Sequence, residues 1–236
     1  MTVNTAPFVQ AFLTFRRSLA QAVDFQNPNY TNSALHRERF KRIMDARAAL
    51  NNLIPDEKDA DADAQIAEVL DGLAPKNGDE VALQEAEWRK VTTLLSANRS
   101  LEQIIFEANP LRLAAIAQWI EVSPEALASV DPSGVIAEVR ELVFGQLVER
   151  RVPAAVRVSD LTTDAELVAA WRNVLIEALE GAVSLGTMSR MARLDPQGFA
   201  ALGIDENLER DIQLDYKIEK LDGLHLRRDT IVAKDA

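Results

Sequence analysis

Apolar positions recur at helical spacing along most of the chain. Phe8, Phe12, Phe15, Leu19 and Val23 lie four, three, four and four residues apart. This spacing draws one continuous stripe down a helix, and Pro7 suits its first turn. "DFQNPNYTNS" interrupts the stripe with turn chemistry. Ser33 is the expected N-cap of a second helix running to about Leu53. Further apolar stripes follow, in Ile66, Val69, Leu70 and Leu73, then in Val81, Trp88, Val91, Leu94 and Leu95. Ser100, Asn109-Pro110 and Ser123-Pro124 each open another short segment. "DPSG" at 131–134 and "DPQG" at 195–198 both read as an Asp cap with proline at the first helical position. Val135 to Glu149 is periodic again. "RVPAAVRVSD" reads as extended or loop. Thr163 and Glu166 have capping-box spacing and open a helix through Trp171 and Leu175 to about Val183.

The period changes in the tail. Ile212, Leu214, Tyr216 and Ile218 alternate with Gln213, Asp215, Lys217 and Glu219, which is strand periodicity. Asp222-Gly223 offers a turn, and "LHLRRDTIV" offers a return strand. A three-residue loop from Leu221 to Gly223 sets Ile218 opposite Leu226, Leu214 opposite Thr230 and Ile212 opposite Val232. The expected fold is therefore mainly α, a multi-helix globular bundle of seven to nine helices with a C-terminal β-hairpin at about 210–233. A helical body spans 1–209, with a sub-boundary possible at 55–80, and a hairpin arm spans 210–236. An isolated hairpin is marginal in water, so this one is expected to dock on the body or on another chain.

Composition narrows the chemistry. The 236 residues are 47% hydrophobic and contain nine glycines, nine prolines and no cysteine. Disulfides, thiolate nucleophiles and Cys-ligated zinc are excluded. No run is long and apolar enough to span a membrane, and the N-terminus lacks the pattern of a signal peptide. The expected location is the cytoplasm or the interior of an assembled particle. The net charge is −11. Residues 1–54 carry seven Lys/Arg (Arg16, Arg17, Arg37, Arg39, Lys41, Arg42, Arg47) against three acids, a net of +4. The remainder is then −15.

"AIAQWIEVSPEALASV", 115–130, has the rhythm of a helix-turn-helix, and Ala117, Val122 and Leu127 fit its packing positions. Glu121 stands where the turn calls for glycine. The would-be recognition helix holds no Arg, Lys, Asn or Gln, so it lacks the donors that base readout needs. The basic helix at 33–53 spreads its charge around the axis, with Arg37 and Lys41 opposite the apolar arc and Arg39 and Arg47 within it. It suits an acidic protein partner better than DNA. Asp59, Asp61 and Asp63 imitate the start of a calcium loop, but Ala64 and Leu70 replace its essential glycine and glutamate. His36 and His225 have no ligand or base context.

No catalytic, cofactor or metal site is expected from these residues. The preferred reading is a non-enzymatic structural or assembly subunit of a larger complex, such as a virus- or phage-like particle or a bacterial machine. It would associate through the hairpin and opposed charge patches as a homo-oligomer or as one subunit of a larger assembly. Nucleic acid and membrane are not the expected partners. The partner-binding residues are then Arg37, Arg39, Lys41, Arg42, Arg47, Leu214, Tyr216, Ile218 and Leu226. The alternatives are a DNA-binding regulator, using the degenerate helix-turn-helix at 111–130 or the basic helix 33–53, and a helical metal- or carboxylate-dependent enzyme.

Overall fold

The structure is a computed structural model describing residues 3–56 and 61–232; side chains are described throughout these except at 125, 205–208 and 224–232. The order of elements is α1 (Ala6–Val23), α2 (Asn32–Asn51), α3 (Ala62–Asp71), α4 (Gly78–Ser96), α5 (Leu101–Glu107) and α6 (Pro110–Trp119). A 3-10 turn (Ile120–Val122) leads to α7 (Pro124–Leu127), α8 (Pro132–Glu149), α9 (Pro153–Glu180), α10 (Leu185–Leu194), α11 (Pro196–Ala201) and α12 (Ile204–Val232). No strand occurs among the described residues.

Side-chain caps set most starts. Thr31, rather than Ser33, caps α2 by accepting from the Ala34 N–H at 3.2 Å. Asn77, Ser100, Asn109, Ser123 and Ser184 cap α4, α5, α6, α7 and α10 in the same way. Asp131 and Asp195 accept from the Gly134 and Gly198 N–H groups at 3.0 and 2.8 Å, with proline following each cap. Stops are equally local. Asn98 and Arg151 adopt left-handed φ values of 59° and 58°. The next N–H in each case, of Arg99 or Val152, reaches back to the Leu94 or Leu147 carbonyl at 3.1 and 2.9 Å, closing α4 and α8.

The chain divides into two compact units. Unit 1 comprises 1–58 and 164–236, and unit 2 comprises 59–163, inserted within it in sequence. Each buries its own core. In unit 1, Phe12, Phe15 and Leu19 of α1 pack with Ile43 and Leu50 of α2, Trp171 and Leu175 of α9, Met191 of α10 and Leu214 and Ile218 of α12. In unit 2, Leu70, Val91, Ile104, Leu113, Ile116, Val143 and Leu147 form the centre.

Several expectations fail, beginning with the number of elements: twelve α-helices lie among the described residues where seven to nine were expected. "RVPAAVRVSD" is helical from Pro153, because Arg151 ends α8 and proline at once restarts the chain in helical φ. Thr163 is interior to α9 and opens nothing. The C-terminal β-hairpin is also absent, since residues 204–232 form the single helix α12. Of the alternating apolar residues, only Leu214 and Ile218, four apart, are buried. Ile212 and Tyr216 are 61% and 67% exposed. The apolar alternation coexists with a second pattern of period 3.6. Asp211, Asp215 and Asp222 fall at helical spacing on the side that meets α1 and α2. Asp215 lies 2.6 Å and Asp211 3.3 Å from the Arg16 guanidinium, and Asp222 lies 2.9 Å from Arg47. A helix satisfies both Leu214 with Ile218 and these acids, whereas a strand would place Leu214 and Asp215 on opposite faces. Asp222-Gly223 lies inside this helix and makes no turn.

Candidate functional site

The α2 cations divide into two groups. Arg37, Lys41 and Arg42 are exposed, and Arg39 and Arg47 are half-buried. Arg42 pairs with Glu38 at 3.0 Å, and its guanidinium sits 3.9 Å from the Phe25 ring centroid. The Arg39 Nε donates to the Phe25 carbonyl at 2.8 Å. Arg47 makes a two-pronged contact with Asp222. The outer cations are thus presented to solvent, and the inner two are engaged by the fold. Leu214 and Ile218 serve the core of unit 1, so neither is available to a partner. Tyr216 is exposed. Leu226 belongs to α12, and its side chain lies outside the described residues.

The helix-turn-helix stretch resolves into a tight corner of unit 2. α6 ends in the 3-10 turn, and the second helix is one turn long, Pro124–Leu127. Such a turn is too short to lie along a major groove. Ala117, Ile120, Ser123 and Ala126 point inward and are buried. Val122, Leu127 and Val130 point outward, with exposures of 62%, 68% and 105%. Sequence reasoning assigned Val122 and Leu127 to packing. The signal it missed is that Ala126 and Ser123, small enough to fit where the corner packs against α8, take the inward positions.

Charge separates the units. Residues 59–163 hold eighteen Asp/Glu and nine Lys/Arg, a net of −9, so the residues of unit 1 total −2. Within unit 2, Glu87 is buried between Lys90 at 2.5 Å and Arg112 at 2.9 Å. Its hydrogen bond to Lys90, with further bonding and attraction from Arg112, outweighs burial and holds its carboxyl below the usual range. In unit 1, burial raises the Asp195 carboxyl, but hydrogen bonds from Thr5, the Gly198 N–H and the Trp171 indole overcome it, leaving a net lowering. Glu177 is lowered by accepting from the Thr187 hydroxyl and the Ser184 N–H, both at 2.6 Å. Glu177 and Asp195 are tied into helix junctions, and Glu87 ties the middle of α4 to α6.

Asp61 caps α3 by accepting from Ala64 at 3.0 Å, and Asp59 lies outside the described residues. Among the described residues no three His, Asp or Glu side chains converge as a metal site would require, and no helix is long and apolar enough to cross a membrane. Comparison with protein-family models, with curated proteins and with solved structures found no match to this chain.

Proposed function

We propose that this chain is an assembly subunit that associates head-to-tail with further copies of itself. The corner at 122–130 of one copy would dock against the exposed cations of α2 in the next. The observation that carries this reading is the outward placement of Val122, Leu127 and Val130 within nine residues. Large apolar side chains concentrated in this way lose hydration cost when a partner covers them. Charge supports the choice of partner. The corner belongs to a unit of net −9, and α2 presents Arg37, Lys41 and Arg42 to solvent. Opposed patches on one chain favour a heterologous contact, which closes as a ring or extends as a filament. The α12 segment has no part in this contact beyond holding α2 in place through Asp222 and Arg47.

Sedimentation velocity at low ionic strength tests the reading. The expected result is a mass that rises with concentration above the 26.1 kDa of one chain. Leu127→Glu with Val130→Glu should return it to one chain while the far-ultraviolet circular dichroism stays unchanged. A wild-type chain that remains single at every concentration would end the proposal.

A further inference from the structure

Unit 1 contains a cavity of about 490 Å³ where the end of α1, the first two turns of α2 and the middle of α12 meet. Its walls are unusual for so acidic a chain. Arg39, Lys217, Lys220 and His36 all line it, and Asp24 is the one acid among the described residues that does. Three fixed cations against one carboxylate leave two positive charges with His36 neutral.

The charges are differently engaged. Lys217 Nζ lies 3.2 Å from Asp24 Oδ1, so that pair largely cancels. The Arg39 Nε is spent on the Phe25 carbonyl at 2.8 Å, which anchors the guanidinium at the wall. Lys220 is exposed and pairs with no acid among the described residues. The His36 Nε2 is buried and has no hydrogen-bond partner among the described residues. A desolvated nitrogen left unpaired is costly, and here it belongs to a residue that lines the cavity. Val23, Leu35 and Leu221 supply apolar wall beside these donors. A few convergent polar groups set in apolar wall, in a volume of about 300–1,000 Å³, is the usual make-up of a small-molecule site.

We propose that this cavity binds the phosphoryl group of a small phosphorylated molecule. A phosphate monoester carries about −1.5 to −2 charges near neutral pH and three strong acceptor oxygens. That matches the charge of the two uncompensated cations, Arg39 and Lys220, with His36 in the same wall. A carboxylate, with one charge, leaves a cation unmet. The remainder of the ligand lies along Val23, Leu35 and Leu221. This site is separate from the assembly contact, and its occupancy does not depend on that contact.

The test uses the full chain and inorganic phosphate or pyrophosphate as probes. Titration calorimetry at constant ionic strength is compared with sodium acetate. Saturable binding of phosphate or pyrophosphate is expected, with acetate weaker by about tenfold or more. Lys220→Gln should weaken phosphate binding by about three- to tenfold. Lys76→Gln, which removes the same charge from an exposed position in unit 2, should leave it unchanged. The His36 ring resonances, assigned with His36→Gln, should move as phosphate is added. The proposal is overturned if phosphate and pyrophosphate do not bind, if acetate binds as well, or if Lys76→Gln weakens binding as much as Lys220→Gln.

Discussion

At the scale of single residues, capping carries much of the design. Asp195 receives N–H donors from Gly198 at 2.8 Å and from the Trp171 indole at 3.1 Å, so one carboxylate starts α11 and pins the central tryptophan of unit 1. Gly198 leaves the room for it. A Cβ there would collide with the Asp195 carboxylate and come within 2.9 Å of the Trp171 ring. Gly198→Ala is therefore expected to destabilise the chain by about 1–3 kcal/mol, measured by chemical denaturation, although alanine is ordinarily the better helix former. Glu87 gives a pH dependence. Its carboxyl is held below the ordinary value of 4.5. The stability it contributes is therefore fully present above that value and is lost as the pH falls through the lowered folded one. Glu87→Gln should flatten the acid limb of the stability curve of unit 2, followed by hydrogen exchange between pH 6 and 3 (approximate limits set by the carboxylate range). An acid limb identical in wild type and variant would contradict this.

At the scale of elements, α12 is the informative case. Alternation in Ile212, Leu214, Tyr216 and Ile218 suggested a strand, and helical spacing in Leu214, Ile218 and Leu221 was present in the same letters. Local pattern alone does not choose between the two. The cations on α1 and α2 do, because Arg16 and Arg47 meet Asp211, Asp215 and Asp222 only when those acids share a helical face. Gly223 separates the alternatives experimentally. Inside a helix with open space around its Cβ position, Gly223→Ala is expected to stabilise by about 0.5–1 kcal/mol. In a hairpin loop needing a left-handed glycine it would destabilise instead. Removing 210–236 should likewise destabilise unit 1 and not leave a folded body behind, since Leu214 and Ile218 would leave the core. A truncated chain with wild-type melting behaviour would refute that placement.

At the scale of the whole molecule, the distribution of charge sets the expected behaviour. In the proposed assembly, a unit of net −9 in one copy faces a helix with three solvent-facing cations in the next. Association should weaken when salt is raised from about 0.05 to 0.5 M, because screening shortens to a few ångströms. Charge reversal at Arg37, Lys41 and Arg42 should weaken it further, both read as sedimentation mass. An association that strengthens with salt would assign the contact to apolar surface alone. The sequence by itself determined the helical composition, the caps at Ser100, Asn109, Ser123, Asp131 and Asp195, and the stripe of Phe12, Phe15 and Leu19, because these depend on neighbours within one or two turns. Only the tertiary structure decided that 204–232 is a helix, that Val122 and Leu127 face outward, and that His36, Arg39, Lys217 and Lys220 share one cavity. Those outcomes depend on groups brought together from as far apart as α1 and α12, and no short-range pattern encodes which distant residues will meet.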